Sequence, residues 1–302
     1  MNRPQNLLSA DRGEVNNFIN SFDTVLCDCD GVIHIGSNKI EKSKEVINLL
    51  QGLGKKVHFV SNNCSLSLKD FKQTLKKFDL DVDEKDIVFP TIVIIDYLKK
   101  IGFKRTIFLI GLKKLKEEFE KAGFKTILQS LNEIEENAQT MSDNLIDDKN
   151  IGAVIVDIDI NLTYLKLQKA CVYLKRNDVL FMTGGSDCKI PFYNNITLIG
   201  PNYFHKALID ITGRQPIRFG KPDRVMNQYI ESKYKLKPNR TLFIGDSFTD
   251  IEFSQNAGYK SLLVLTGNTK FGDLKELSNR SLFPDYYLER LGDLCQILNG
   301  TK

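Results

Sequence analysis

The strongest constraint on this chain is an alternation recurring along its first half: a short β-branched run, then turn residues, then an amphipathic helical stretch. Strands joined through helices lie parallel, because each crossover carries the chain back to the same end of the sheet. Residues 24–27, 57–60 and 106–110 read as strands, and 41–53, 67–78, 91–100 and 113–122 as helices. Val46, Ile47, Leu50 and Leu53 share one face of the first of these helices, and Gly123 stands where a C-cap is expected. Residues 128–150 are polar and acidic with little periodicity, and read as a helix fragment and a surface loop. The pattern restarts with strands at 151–156, 179–182, 217–219, 241–244 and 261–265, and with helices over 162–176, 203–212 and from Pro222 to Tyr234. The predicted fold class is α/β, a doubly wound, Rossmann-like parallel sheet.

A length of 302 residues suggests about two domains of roughly 150 residues each. With 42 basic and 38 acidic side chains and a net charge of +4, and no long basic run, the chain lacks the electrostatic footprint of a nucleic-acid binder. The cysteines Cys27, Cys29, Cys64, Cys171, Cys188 and Cys295 follow neither zinc-site nor disulfide-framework spacing. No stretch approaches the roughly 18 apolar residues of a membrane span, and the first residues lack the apolar core of a signal peptide. The expected setting is the reducing cytoplasm, with neither nucleic acid nor membrane as partner.

Chemistry concentrates where strands end. Asp28-Cys29-Asp30-Gly31-Val32 sets two carboxylates two residues apart just as the first apolar run stops. Ligands in open α/β sheets bind beyond the carboxyl ends of strands, although Asp and Gly are also ordinary turn formers. Ser61-Asn62-Asn63 ends the second strand with a hydroxyl and two amides, groups that orient an anion without adding charge but are equally common in turns and caps. Gly220-Lys221-Pro222 places an ammonium between a strand and a helix, and the segment from Gly245 to Ile251 adds the carboxylates of Asp246 and Asp250. In a parallel sheet these ends converge on one edge. Carboxylates held close repel and raise each other's pKa unless a cation sits among them, and hard oxygen donors suit Mg²⁺. A Mg²⁺, a Lys and a Ser around a carboxylate nucleophile are the parts that phosphoryl transfer uses.

In order and placement these segments resemble the haloacid dehalogenase superfamily of aspartate-nucleophile phosphatases. Within it they resemble the branch of 4-nitrophenylphosphatase, phosphoglycolate (glycerol-3-phosphate) phosphatase and pyridoxal phosphatase. The branch's usual DxDGVLW, TNN, GKP and GDxxxTDI are echoed by Asp28 to His34, Ser61-Asn62-Asn63, Gly220-Lys221-Pro222 and Gly245 to Ile251, and the likeness covers nearly the whole chain. The resemblance implies a core formed by residues 1–102 and 218–302, interrupted by an inserted α/β cap over 103–217 that governs substrate specificity. It implies that Asp28 is the nucleophile forming an aspartyl-phosphate and that Asp30 protonates the leaving oxygen and later activates water. Ser61 and Lys221 would hold phosphoryl oxygens, and Asn62 and Asn63 would donate to phosphate or substrate. Mg²⁺ would be bound by the Asp28 carboxylate, the Asp30 backbone carbonyl and the Asp246 carboxylate, with Asp250 supporting that set. The implied substrates are small phosphomonoesters such as 4-nitrophenyl phosphate, phosphoglycolate and glycerol 3-phosphate, and relatives often pair as homodimers through the cap.

Departures from the pattern bear on the substrate. His34 replaces the branch's Trp and reads as a partly exposed structural residue, since Asp30 already fills the acid–base role. Asp246 and Asp250 stand four apart, one fewer than in the branch. Gly184-Gly185 replaces a Thr-Asn pair, and Gly200-Pro201-Asn202 replaces a Gly-rich turn. The segment from Asp187 to Pro191 lacks the His of pyridoxal phosphatases, which favours the glycolate and glycerol side over pyridoxal 5′-phosphate. The alternatives are a pyridoxal 5′-phosphate phosphatase, a phosphotransferase, and a non-catalytic phosphometabolite-binding regulatory protein. The last is disfavoured, because four carboxylates at strand ends cost stability unless a cation uses them.

Overall fold

The computed structural model describes residues 4–129, 133–191 and 196–300. Contacts group the chain into two units, Met1–Ser61 with Leu68–Val88 and Lys221–Lys302, and Asn62–Ser67 with Phe89–Gly220.

The first unit is built on a seven-stranded sheet among the described residues, in the spatial order Gln5–Asn6, Tyr286–Leu288, Lys260–Val264, Thr241–Gly245, Thr24–Cys27, Lys56–Val60, Ile87–Val88. Every neighbouring pair is parallel. Its strands read as unbroken apolar runs because both faces of such a sheet are covered, and all four residues of Thr24–Cys27 are buried. From that strand the chain moves to Lys56–Val60 on one side, while Thr241–Gly245 pairs on the other. The reversal makes the end of Thr24–Cys27 the switch point where a crevice opens, and Asp28 follows directly. The helix Arg12–Asn20 was not anticipated. Its reciprocal cap, in which Asp11 Oδ1 accepts from Glu14 N at 2.8 Å and Glu14 accepts from Asp11 N at 3.2 Å, is legible as Asp-x-x-Glu. Only Phe18 and Ile19 are buried on it, too few to give a helical period.

The second unit has a five-stranded parallel sheet among the described residues, ordered Ile217–Arg218, Leu180–Thr183, Ile151–Val156, Thr106–Ile110, Thr126–Leu128. Ile151–Val156 is buried throughout, and Ile151, Val154 and Val156 pack in one cluster with Phe108, Tyr173, Leu174, Phe181 and Leu208. Thr163 caps the helix Tyr164–Leu174, and Lys166 on that helix forms a buried ion pair with Asp159 at 2.7 Å. In the acidic stretch, Asn137 caps the helix Ala138–Asn144, while residues 130–132 lie outside the described ones. The antiparallel pair Lys189–Pro191 and Thr197–Ile199 has no counterpart in the sequence reading. No helix among the described residues is long and apolar enough to cross a membrane.

Candidate active site

Asp28 leaves its strand 6% exposed. Its Oδ1 accepts from the Cys29 amide at 2.8 Å and lies 3.1 Å from Lys221 Nζ. Lys221, 2% exposed, also donates to Asp250 Oδ1 at 2.7 Å and reaches the Val60 carbonyl at 3.4 Å. One ammonium therefore ties together the ends of two neighbouring strands and the start of the helix Phe248–Ala257. That start is fixed by Asp250 as well: its Oδ2 accepts from the Asp246 and Ser247 amides at 3.1 Å and from Ser247 Oγ at 2.7 Å. Both Asp250 oxygens are thus engaged.

Asp246 is held from behind by residues 266–269. Asn268 N donates to its Oδ2, Thr269 N donates to its carbonyl at 3.0 Å, and Thr266 Oγ1 donates to the Gly31 carbonyl. Gly31 is needed twice over: its φ is +81°, and a Cβ there would stand 2.6 Å from the Asp246 carboxyl. Sequence reasoning missed the 266–269 loop. It follows the strand Lys260–Val264, so the strand-end logic that flagged the other segments applies to it, but its contribution is mostly backbone and carries no titratable signature.

The ligand atoms of Asp28, Asp246 and Asp250 all lie within 4.8 Å of one another. Burial drives the Asp28 carboxyl above its ordinary range and lifts Asp246 to about 7. Burial opposes the charge on Lys221, but the Asp250 and Asp28 carboxylates outweigh it and hold its pKa above the usual lysine value. Were all three carboxylates ionised, the one ammonium would leave a surplus of two negative charges, which one divalent cation would balance. Asp28 and Asp246 offer hard carboxylate oxygens, with Asp250 adding charge beside them, so the donor set fits Mg²⁺ or a similar ion.

Ser61, 1% exposed, follows the strand Lys56–Val60, and its amide donates to the Val88 carbonyl at 3.0 Å. Asp30 differs from Asp28 in having a side chain 52% exposed. His34 is not partly exposed as expected but buried at 7%: its ring stacks on Phe78 at 4.6 Å and Nδ1 lies 3.1 Å from the Gly36 carbonyl. The Asp30 carboxylate, 3.8 Å away, is beyond hydrogen-bond reach, so His34 packs. Asn62 and Asn63 group with the second unit, where Asn63 Oδ1 closes a turn by accepting from Ser65 N at 2.9 Å and from Ser65 Oγ at 2.5 Å.

Acids and a serine at the strand ends of one parallel sheet, with the buried Lys221 ammonium among the acids although the strand before it belongs to the other sheet, fit a haloacid dehalogenase-like hydrolase, and the chain belongs to that superfamily. Residues 25–125 match the family described as haloacid dehalogenase-like hydrolase, and residues 218–294 match a second, HAD-hydrolase-like family. It is a phosphatase of that superfamily by its relatives. The chain is 33% identical to phosphoglycolate phosphatase 2 of Arabidopsis thaliana, over 93% of this chain and 94% of that protein. It is 31% identical to the 4-nitrophenylphosphatase of Schizosaccharomyces pombe, over 94% and 96% of the two chains. Among solved structures, the 4-nitrophenylphosphatase of Thermotoga maritima superposes with a TM-score of 0.77 at 26% identity, covering 92% of this chain and 98% of that one.

Proposed function

We propose that the chain is a Mg²⁺-dependent hydrolase of small phosphomonoesters that works through a covalent intermediate on Asp28. The observation that carries this reading is the buried Lys221 ammonium set between the Asp28 and Asp250 carboxylates with Asp246 beside them. Burial raises the Asp28 pKa and Lys221 offsets part of that cost; a bound cation would offset the rest, leaving the carboxylate ionised as a nucleophile for phosphorus. Ser61 and Lys221 are assigned to hold the phosphoryl oxygens, and Asn62 and Asn63 to donate to phosphate or substrate. Asp30, in contact with solvent, gives its proton to the departing alkoxide and then takes one from the water that cleaves the acyl phosphate. A bound Mg²⁺ supplies charge neutralisation between nucleophile and phosphate; the Asp28 and Asp246 carboxylates and the Asp30 carbonyl are assigned to hold it. Asp250, with both oxygens already engaged, supports the set without ligating. Residues 103–217 are assigned the role of a substrate-selecting cap, and the cytoplasm is the proposed setting.

Hydrolysis of 4-nitrophenyl phosphate is expected to vanish with EDTA and return with Mg²⁺; activity indifferent to chelation removes the metal from the mechanism. On a phosphometabolite panel, kcat/KM for phosphoglycolate and glycerol 3-phosphate should exceed that for pyridoxal 5′-phosphate. The reverse order would make it a pyridoxal phosphatase, and no phosphate release from any ester would leave a regulatory binding protein. Metal and proton also compete for the same carboxylates. With its folded pKa raised to about 7, Asp246 makes the metal-free protein more stable as pH falls from about 7 towards the unfolded carboxylate value of about 4, and less stable as pH rises through that window. The increase in Tm on adding Mg²⁺ should therefore grow from about pH 5.5 to about pH 8, and a pH-independent increase would contradict the assignment.

A further inference from the structure

Asp157 stands directly after the buried strand Ile151–Val156, only 4% exposed and far along the chain from the acids above. The Ile158 amide donates to its Oδ1 at 2.7 Å. Its carboxylate also accepts from the Gly185 amide and the Cys64 thiol. Cys64 Sγ lies 3.7 Å from the Asn62 carbonyl too, but an ionised acceptor makes the stronger bond to a thiol. Gly184 explains how a carboxylate fits there: a Cβ on Gly184 would meet Asp157 Oδ2 and stand 2.8 Å from Cys64 Sγ. Asp157 thus occupies the space a side chain at 184 would take. The same small region holds Gly185, whose Cβ position is 3.0 Å from the Asn62 carbonyl and 3.2 Å from Asp187 Oδ2, and Gly220, whose Cβ position is 2.9 Å from Asn62 Oδ1. Asn62 is bonded to Ser61, and Gly220 to Lys221.

We propose that Asp157 is a positioning residue for substrate binding, a carboxylate that takes the volume vacated at Gly184 and fastens the Cys64 end of the Asn62-Asn63 segment to the 184–187 turn. The proposal rests on the assignment of Asn62 and Asn63 as substrate donors. It extends that assignment by naming what holds them, and by making substrate affinity, rather than the chemical step, the quantity Asp157 controls. The carboxyl, raised by burial to about 6, has Cys64 and Asp187 as its titratable neighbours. Protonation removes the anionic acceptor shared by the thiol and two amides, so the fastening weakens as pH falls through about 6.

The test is a double-mutant cycle read both in Tm and in steady-state kinetics on 4-nitrophenyl phosphate. Gly184→Ala alone drives its methyl into Asp157 and should lower Tm and raise KM. In the Asp157→Gly background the same change should cost much less, only the 2.8 Å approach to Cys64 Sγ remaining, a strong coupling of the kind residues in contact show. Asp157→Gly alone should raise KM about tenfold, the loss expected for a charged hydrogen-bond acceptor, with kcat within about threefold. Asp157→Asn, which keeps the shape but is neutral like the protonated acid, should hold at neutral pH the raised KM that the parent reaches below pH 6. It should also remove the part of the rise in KM below pH 6 that is not due to titration of the substrate phosphate. Additive Tm penalties, an unchanged KM in Asp157→Gly, or the same pH profile in Asp157→Asn as in the parent would each overturn the proposal. If Asp157→Gly fails to fold, the Asp157→Asn pH profile still decides it. If the parent chain releases no phosphate, the functional assignment fails, while the Tm cycle still reports whether Asp157 and Gly184 are coupled.

Discussion

Asp28→Asn is expected to abolish phosphatase turnover, by about 10⁵-fold or more, in a protein that folds normally. The amide has the size of the carboxylate but no oxyanion to attack phosphorus, so the first covalent step is lost. Folding should survive for two reasons. Asp28 is buried with its pKa raised, so a neutral replacement removes a charge that burial penalises, and Lys221 retains its 2.7 Å partner Asp250. Phosphate release and a Tm within a few degrees of the parent, measured on one preparation, check both halves. Turnover in Asp28→Asn above about one hundredth of the parent rate would refute the nucleophile assignment.

Lys221→Met should have the next largest effect, and on stability as well as activity. The ammonium is 2% exposed and contacts two carboxylates, so its removal leaves Asp28, Asp246 and Asp250 as mutually repelling buried acids. Breaking such a pair from one side costs about 3–5 kcal/mol, readable as a shift in the urea midpoint with unchanged slope. Losing charge stabilisation at the phosphoryl group should lower kcat by about 10²–10³-fold. Adding Asp250→Asn should recover part of the lost stability, since neutralising the orphaned partner is cheaper than leaving it charged, without recovering activity. A double variant less stable than Lys221→Met would show that the ion pair is not what Lys221 contributes to the fold.

Legibility of the fold followed burial on both faces. Thr24–Cys27, Thr106–Ile110 and Ile151–Val156 are fully buried strands, and their apolar runs gave their bounds from the sequence alone. The short edge strands Gln5–Asn6 and Ile87–Val88 and the pair Lys189–Pro191 with Thr197–Ile199 did not show, because two or three residues carry no period. The titratable members of the site were legible because acids at the end of an apolar strand are conspicuous. What escaped was support: the backbone of 266–269 behind Asp246, the capping role of Asp250, and the Asp157–Cys64 contact between segments far apart in sequence. His34 was misjudged in exposure because the ring it stacks on, Phe78, arrives from the turn after the helix Leu68–Lys77, far along the chain.

The shared use of Asp250 has one further result. The carboxylate that nucleates the helix Phe248–Ala257 also moors the ammonium beside the nucleophile, so mutational drift at this position is closed from two directions. Asparagine would offer a single oxygen where two are in use, and glutamate would push that oxygen past its amide donors. Evolution can retune what this enzyme cleaves elsewhere in the chain, but position 250 is frozen by geometry.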